Sequence, residues 1–356
     1  MEINFNSVFS IENDSVDSEH KKQFSCLNES PAGLPVLKLA TMAVCYFHLQ
    51  ATIIPPPIQG AIMKSPLYCS MLIMSLAVSG AQLPDLFEGE QVIFPASVRG
   101  SQMFSAVIVT KNKHVIVFDG GWREDNANLI KIVKEFSDTV DLWCITHAHG
   151  DHFWQLAEFI EKTPDALKIK KLCYNFISEE WIQEADKHEK GCLQEAMITI
   201  TPLKTSNIPQ QITKAGDVFD IDGVKVEVLN DPYPIQTGNP INNASVVYNV
   251  TIGSKKMLVT GDLGVEGGNR LLELCPDKLK ADIVVLAHHG QNGANKNFYD
   301  AVKPSVAIWP TPRWLWENDN GGGPGSGPWK TNYVKCWMQD LGVKRQYNTI
   351  KEVRLK

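Results

Sequence analysis

The sequence predicts an α/β (α+β) fold, a four-layer αββα sandwich. Three observations carry this. The composition, 44% hydrophobic and 21% charged over 356 residues, is that of a globular chain. From Glu90 onward β-rich runs alternate with helical runs. The pattern occurs twice, each half opening on hairpins and continuing as strand–helix alternation, which suggests two packed sheets with helices outside.

In order along the chain, residues 105–110 and 114–118 are β-rich and flank Lys111-Asn112-Lys113, a hairpin. Residues 126–136 have helical spacing, with Leu129, Ile132 and Val133 on one face. A buried strand follows at 141–146, a helix at 154–162, a strand at 169–174 and a helix at 179–196. In the second half, runs 218–221 and 224–229 bracket the turn Asp222-Gly223. Runs 245–252 and 257–260 bracket a turn that starts at Gly253-Ser254. A strand at 283–287, a helix at 296–302 and a strand at 306–309 complete it, and a further helix is expected at 333–341.

Before this body the chain reads differently. Residues 1–62 form a low-pattern N-terminal extension that ends soon after Pro55-Pro56-Pro57. Met63-Lys64, an apolar run over 67–78 and Ser79-Gly80-Ala81 resemble a secretory signal peptide. The run is shorter than the roughly 20 residues of a membrane span, so no stable span is expected. The reading is that Met63 is the true start, that the product is exported (periplasmic or extracellular), and that 82–356 is the mature domain. The rival reading is a membrane-anchored N-terminus. A mature start near Gln82 by N-terminal sequencing supports export; retention of Met1 in a cytosolic protein contradicts it.

The net charge is −6, and from residue 82 onward 30 Lys+Arg face 34 Asp+Glu. A chain that grips a nucleic-acid backbone is usually basic, so nucleic acid fits only as a transient substrate. The eight cysteines include no CxxC pair, and five, an odd number, lie beyond residue 82. No disulfide framework is visible. Cys144 and Cys173 stand in apolar runs and read as core.

The chemistry is concentrated in Thr146-His147-Ala148-His149-Gly150-Asp151-His152, directly after a buried strand. With period two, His147 and His149 point the same way. A turn at Gly150 lets Asp151 and His152 face a second point nearby. So many ionisable groups at an apolar strand end are costly without a compensating cation. Imidazole and carboxylate suit zinc, and also manganese or iron. Two further apolar strands end similarly, one at Thr260-Gly261-Asp262 and one at His288-His289-Gly290.

Together with the upstream Asp119-Gly120-Gly121, these segments resemble the metallo-β-lactamase superfamily over about residues 90–310. The finer pattern Asn242-Asn243-Ala244-Ser245-Val246-Val247 and His288-His289-Gly290 resembles one branch of it. That branch holds the hydrolase domain of ComEC-type competence proteins and the phosphorylcholine esterases. The resemblance implies a two-metal centre with zinc as the expected metal: His147 and His149 on the first ion, and Asp151, His152 and one of His288/His289 on the second. Asp262 would bridge, and Asp119 would orient the ligand loop. Members commonly bring a third histidine to the first ion; this chain has none between His188 and His288, and Asn243 stands near the expected place. Of the histidine pair, His288, the first residue after the strand, is the expected ligand.

The expected activity is hydrolysis by a metal-bound hydroxide, available at neutral pH because the ion lowers the pKa of water toward about 7. Asp151 would orient the attacking water, and His288 or His289 would stabilise a leaving or non-bridging oxygen. The first reading is a phosphodiester hydrolase acting on a small-molecule or oligomeric anionic substrate. The alternatives are an ester, lactone or amide (including β-lactam) hydrolase, and a non-catalytic metal-binding protein. Tyr233, Trp314 and Trp316 are candidates for a substrate wall, and the Gly/Asn-rich stretch 318–328 for a mobile loop beside it. The competing reading packs the tryptophans against the helix at 333–341. Residues 301–356 carry 9 Lys+Arg against 4 Asp+Glu, a local excess that favours an anionic substrate or is a solvated face.

Overall fold

A computed structural model describes residues 85–176, 178–234 and 239–356. The extension at 1–62 and the signal-like segment at 63–81 lie outside the described residues. The elements run β1 (Gln91–Phe94), β2 (Ser105–Val109), β3 (Val115–Asp119), α1 (Asn126–Lys134), β4 (Thr139–Val140), β5 (Leu142–Cys144), α2 (Gly150–Lys162), β6 (Lys168–Ile169) and β7 (Leu172–Tyr174). Then come α3 (Glu179–Ala185), α4 (Cys192–Thr205), β8 (Gln210–Ile212), β9 (Val218–Ile221), β10 (Val224–Val228), α5 (Pro240–Asn243), β11 (Tyr248–Ile252) and β12 (Lys255–Val259). The chain closes with α6 (Val265–Leu274), β13 (Ile283–Val285), α7 (Lys296–Val302), β14 (Val306–Trp309), α8 (Arg313–Trp316), α9 (Thr331–Asp340), β15 (Arg345–Asn348) and β16 (Val353–Leu355).

Two seven-stranded sheets result, ordered β16-β1-β2-β3-β5-β7-β8 and β15-β14-β13-β12-β11-β10-β9. Period-two alternation divides each strand between two cores. In the β2–β3 hairpin Ile108 lies opposite Ile116 and Val107 opposite Val117. Ile108, Ile116 and Phe118 join Val226, Tyr248 and Val250 of the other sheet in the central core. Val107, Val109, Val115 and Val117 pack on Leu129, Ile132 and Val133 of α1. A third core lies under α6, α7 and α9, around Leu258, Val284, Phe298 and Trp309. Three apolar layers between four structural layers make the expected αββα sandwich. Each fully buried Val or Ile contributes about 1.5–3 kcal/mol.

The turns follow their residues. Asp222 and Gly223 both take positive φ, 52° and 84°, in the tight connection that the β9–β10 register requires. Beyond the expected hairpins, β15 joins the second sheet and β16 returns to the first.

Two local expectations are corrected. The helix expected at 179–196 is two helices. Asp186 Oδ1 accepts from Gly191 N (2.9 Å) and Leu193 N (3.1 Å), and Gly191 takes φ 92°, so the chain breaks and restarts. The second helix starts at Gly150, not at 154, which places Asp151 and His152 on its first turn. The site depends on both corrections. Among the described residues, no helix is long and apolar enough to cross a membrane.

Candidate metal centre

The parallel strands β3, β5, β12 and β13 deliver their C-terminal ends to one edge of the sandwich. Asp119, the last residue of β3, is fully buried at φ 48°. Its Oδ1 accepts from Thr146 N (2.7 Å), and its Oδ2 from Thr146 Oγ1 (2.7 Å) and His152 Nδ1 (2.7 Å). One carboxylate thus ties the end of β3 to both ends of the histidine loop.

The protons on the imidazoles follow from their outer partners. Thr146 Oγ1 gives its hydrogen to Asp119, so it accepts from His147 Nδ1 (3.0 Å), leaving a lone pair on His147 Nε2. His149 Nε2 faces Glu189 Oε1 (3.0 Å) and donates to it, leaving the lone pair on Nδ1. His152 donates through Nδ1 to Asp119, and His289 through Nδ1 to the carbonyl of Pro310 (2.8 Å), so both present Nε2 lone pairs. With His149 neutral, as a metal ligand must be, His147 Nε2 and His149 Nδ1 face each other at 3.2 Å as two acceptors. His152 Nε2 lies 3.0 Å from Asp262 Oδ1, and His289 Nε2 lies 2.9 Å from Asp151 Oδ2 and 3.3 Å from Asp262 Oδ2.

Lone pairs aimed at lone pairs in a buried cluster are repulsive unless cations or added protons sit between them. The Nε2 atoms of His152 and His289 are buried, and their near neighbours are carboxylate oxygens of Asp262 and Asp151. Ligand atoms of Asp151, His152, Asp262 and His289 all lie within 4.8 Å of one another. The donor set of imidazole nitrogen and carboxylate oxygen fits a divalent ion such as zinc.

Without cations the cluster balances its charge with protons. Burial works against charge on His152, but Asp262 and Asp151 hold its pKa well above the ordinary histidine value. Burial likewise opposes charge on His289 and His149, yet Asp262 and Asp151 push His289 up to about 9, and Glu189 with Glu195 pushes His149 up to about 10. The imidazole charges outweigh burial at Asp151 and Asp262 and hold both below the carboxylate range. Burial holds His147 and His288 below the ordinary histidine range.

His288 and His289 differ because the chain turns sharply after β13. His288 and His289 take φ 50° and 54°, and Gly290 takes 73°. Left-handed backbone costs roughly 1–2 kcal/mol per non-glycine residue, and it is held here by His288 N to Gly261 O (3.1 Å) and Thr311 Oγ1 to His289 O (2.6 Å). The turn sends the two rings apart. His289, not the expected His288, enters the cluster with Asp151 and Asp262. His288 Nε2 stands 3.9 Å from Asp262 Oδ2 and 3.4 Å from Asn242 Nδ2.

Asn243 is also placed differently from expectation. Its Oδ1 accepts from Gly267 N (2.9 Å) and its Nδ2 donates to Glu266 (3.1 Å), so both amide atoms are committed to the first turn of α6. Asn242 is the amide beside His288, and its buried Oδ1 has no partner among the described residues. Two other groups escaped the sequence reading. Glu189 sits in the unforeseen helix break. Gln102 donates to Asp151 Oδ2 (3.1 Å) and accepts from Gln291 Nε2 (3.3 Å). Neither lies in a motif, so only spatial proximity reveals them.

The wall candidates pack on neighbouring side chains. Trp316 meets Trp309 edge-on, with ring centroids 5.2 Å apart, and lies under Lys335 of α9. Trp314 packs on Trp329 (5.0 Å), and Tyr233 lies under Arg270 (5.3 Å). The glycine-rich stretch is pinned rather than loose. Asp319 Oδ1 accepts from Gly321 N (2.7 Å) and Gly323 N (2.9 Å).

Residues 100–308 match the metallo-beta-lactamase superfamily. Over 175 residues the chain is 29% identical to ComE operon protein 3 of Bacillus subtilis (strain 168), a match covering 48% of this chain and 20% of that protein. Over 89 residues it is 36% identical to Competence protein ComA of Neisseria gonorrhoeae, covering 24% and 12%. The matches therefore span a fifth or less of these relatives' own length. Among solved structures, the metallo-beta-lactamase fold protein YhfI from Bacillus subtilis aligns with a TM-score of 0.45 at 9% identity, over 76% of this chain and 100% of that one.

Proposed function

The chain belongs to the metallo-beta-lactamase superfamily and is a hydrolase of that fold, and from this premise we propose that its substrates are phosphodiesters. The observation that carries this reading is the division of labour in the histidine pair. His289 is turned into the carboxylate cluster, while His288 stands at its edge, partly open to solvent, with Asn242 beside it. An imidazole and an amide placed together are suited to holding a non-bridging phosphate oxygen next to the reacting centre.

His147 and His149 would hold one ion; Asp151, His152 and His289 would hold a second, with Asp262 between the two. Bound divalent ions supply Lewis acidity and an acidified water. The chain's own residues do the rest. Asp151, ionised and fixed by Gln102, orients the attacking water with the oxygen not committed to His289. Asp119 keeps Thr146, and through it His147, and His152 in the required tautomers. His288 and Asn242 receive the phosphoryl oxygen on which charge develops. The resemblance of the Asn242–Val247 and His288-His289-Gly290 segments to phosphodiester-cleaving hydrolases supports the same reading. Zinc is the proposed metal, with manganese or iron as alternatives to be read from metal analysis. The signal-like segment at 63–81 supports export, which N-terminal sequencing of the native protein tests.

The test is a substrate panel with and without chelator: bis-p-nitrophenyl phosphate, p-nitrophenylphosphorylcholine, a chromogenic cephalosporin and a lactone. Chelator-sensitive turnover of a phosphodiester is the expected result. Steady hydrolysis of the cephalosporin or lactone with no phosphodiester turnover, at matched metal loading, would overturn the proposal.

A further inference from the structure

The first pair of histidines gains no third imidazole from the second half of the chain, yet it is braced from outside. We propose that Glu189 is the positioning residue of the first metal subsite, holding His149 so that its Nδ1 and His147 Nε2 converge on one ion. This rests on the two-ion reading above and adds a residue to it.

Glu189 Oε1 lies 3.0 Å from His149 Nε2. A neutral imidazole has one N–H, so a carboxylate at Nε2 fixes the lone pair on Nδ1. That nitrogen is the one 3.2 Å from His147 Nε2. The second oxygen of Glu189 is buried, and the backbone N–H of Ile241 also bonds this carboxylate.

The chain delivers Glu189 on a fixed frame. It lies in the break between α3 and α4, which Asp186 stabilises by accepting from Gly191 N and Leu193 N. Glu195, in the first turn of α4, accepts from Gly150 N (2.7 Å), and its carbonyl accepts from Trp154 Nε1 (3.1 Å). These bonds fasten α4 to the start of α2, immediately after His149. The position of Glu189 relative to the ring is therefore set by two helices rather than by its own side chain.

Charge balance points the same way. Two divalent ions bring four positive charges. Asp151 and Asp262 within the cluster and Asp119 behind it supply three negative ones. Glu189, with Glu195 nearby, adds negative charge on the His149 side, where an ion held by the first histidine pair would sit. Carboxylates behind a metal-binding histidine typically alter metal affinity by 10–100-fold.

The experiment titrates zinc, and separately manganese, into the metal-stripped full chain and counts retained ions by mass spectrometry after dialysis. The wild type should hold two ions. Glu189→Ala should keep one and bind the other roughly 10–100-fold more weakly. Glu189→Gln, which retains an acceptor oxygen but no charge, should fall between, and it carries the test if circular dichroism shows Glu189→Ala unfolded. Glu184→Ala, a half-exposed position on α3 paired with Lys187, should match the wild type. Adding Glu189→Ala to His149→Ala should cost nothing further, because Glu189 acts through that ring. A wild type holding two ions with Glu189→Ala unchanged, or additive losses in the double variant, refutes the role of Glu189. A wild type that holds fewer than two ions refutes the two-ion reading and this proposal with it.

Discussion

Replacing Asp119 by alanine tests whether one buried carboxylate organises the centre. The substitution strands three donors at once: Thr146 N–H, Thr146 Oγ1–H and His152 Nδ1–H, each now 2.7 Å from an Asp119 oxygen. The threonine hydroxyl can rotate to another acceptor, but the other two are fixed in a buried pocket. An orphaned buried donor costs about 1–3 kcal/mol, and removing one partner of a buried charged pair about 3–5 kcal/mol. Taking about 3–5 kcal/mol, and about 2–4 °C per kcal/mol for a domain of this size, the melting temperature should fall by roughly 6–20 °C. His152 also loses the bond that sets its tautomer, so metal affinity should drop by about 10–100-fold. Asp119→Asn, which can still accept from Thr146 N but turns an N–H toward another donor, should lie between. Calorimetric melting of the stripped proteins separates the stability effect from the metal effect, and a zinc titration measures the second. A melting temperature within about 2 °C of wild type with zinc affinity retained would refute the reasoning.

The histidine pair should split by phenotype: His289→Ala should lose bound metal, while His288→Ala should keep metal yet lower kcat on a phosphodiester by about 10²–10³-fold; metal loss in His288→Ala would reverse the assignment. Gly290→Ala should destabilise the turn by about 1–3 kcal/mol, since its Cβ would come 2.3 Å from Trp309 at a φ of 73°, and denaturant unfolding measures it. Asp141, which accepts from Val115 N (3.0 Å) and Lys170 Nζ (2.6 Å), is held below the carboxylate range by Lys170, Val115 and His114 despite its burial. A folded-state pKa lowered in this way adds stability above the unfolded carboxylate value, and that stability is lost as pH falls through the folded one. Asp141→Asn should therefore cost about 1–2 kcal/mol at neutral pH, with the gap to wild type closing below about pH 4; a gap independent of pH would contradict it.

The sequence by itself determined the layers and the chemistry. Alternation in 105–118 and 218–260 fixes which residues face the central core, because strand side chains alternate whatever surrounds them. The clustering of His147, His149, Asp151 and His152 in six residues points to a cation, because a divalent ion offsets so many ionisable groups after an apolar strand. Only the tertiary structure decided the rest. Whether His288 or His289 enters the cluster depends on a left-handed turn held by bonds to Gly261 and Thr311, residues far away in sequence. Asn243 faces α6, and Asn242 the site, because the short helix at 240–243 rotates neighbouring side chains by a fraction of a turn. Glu189 arrives through a helix break where periodicity predicts continuity. Local pattern reports the strand or helix a residue occupies; which groups meet around a cation depends on contacts between segments distant in sequence.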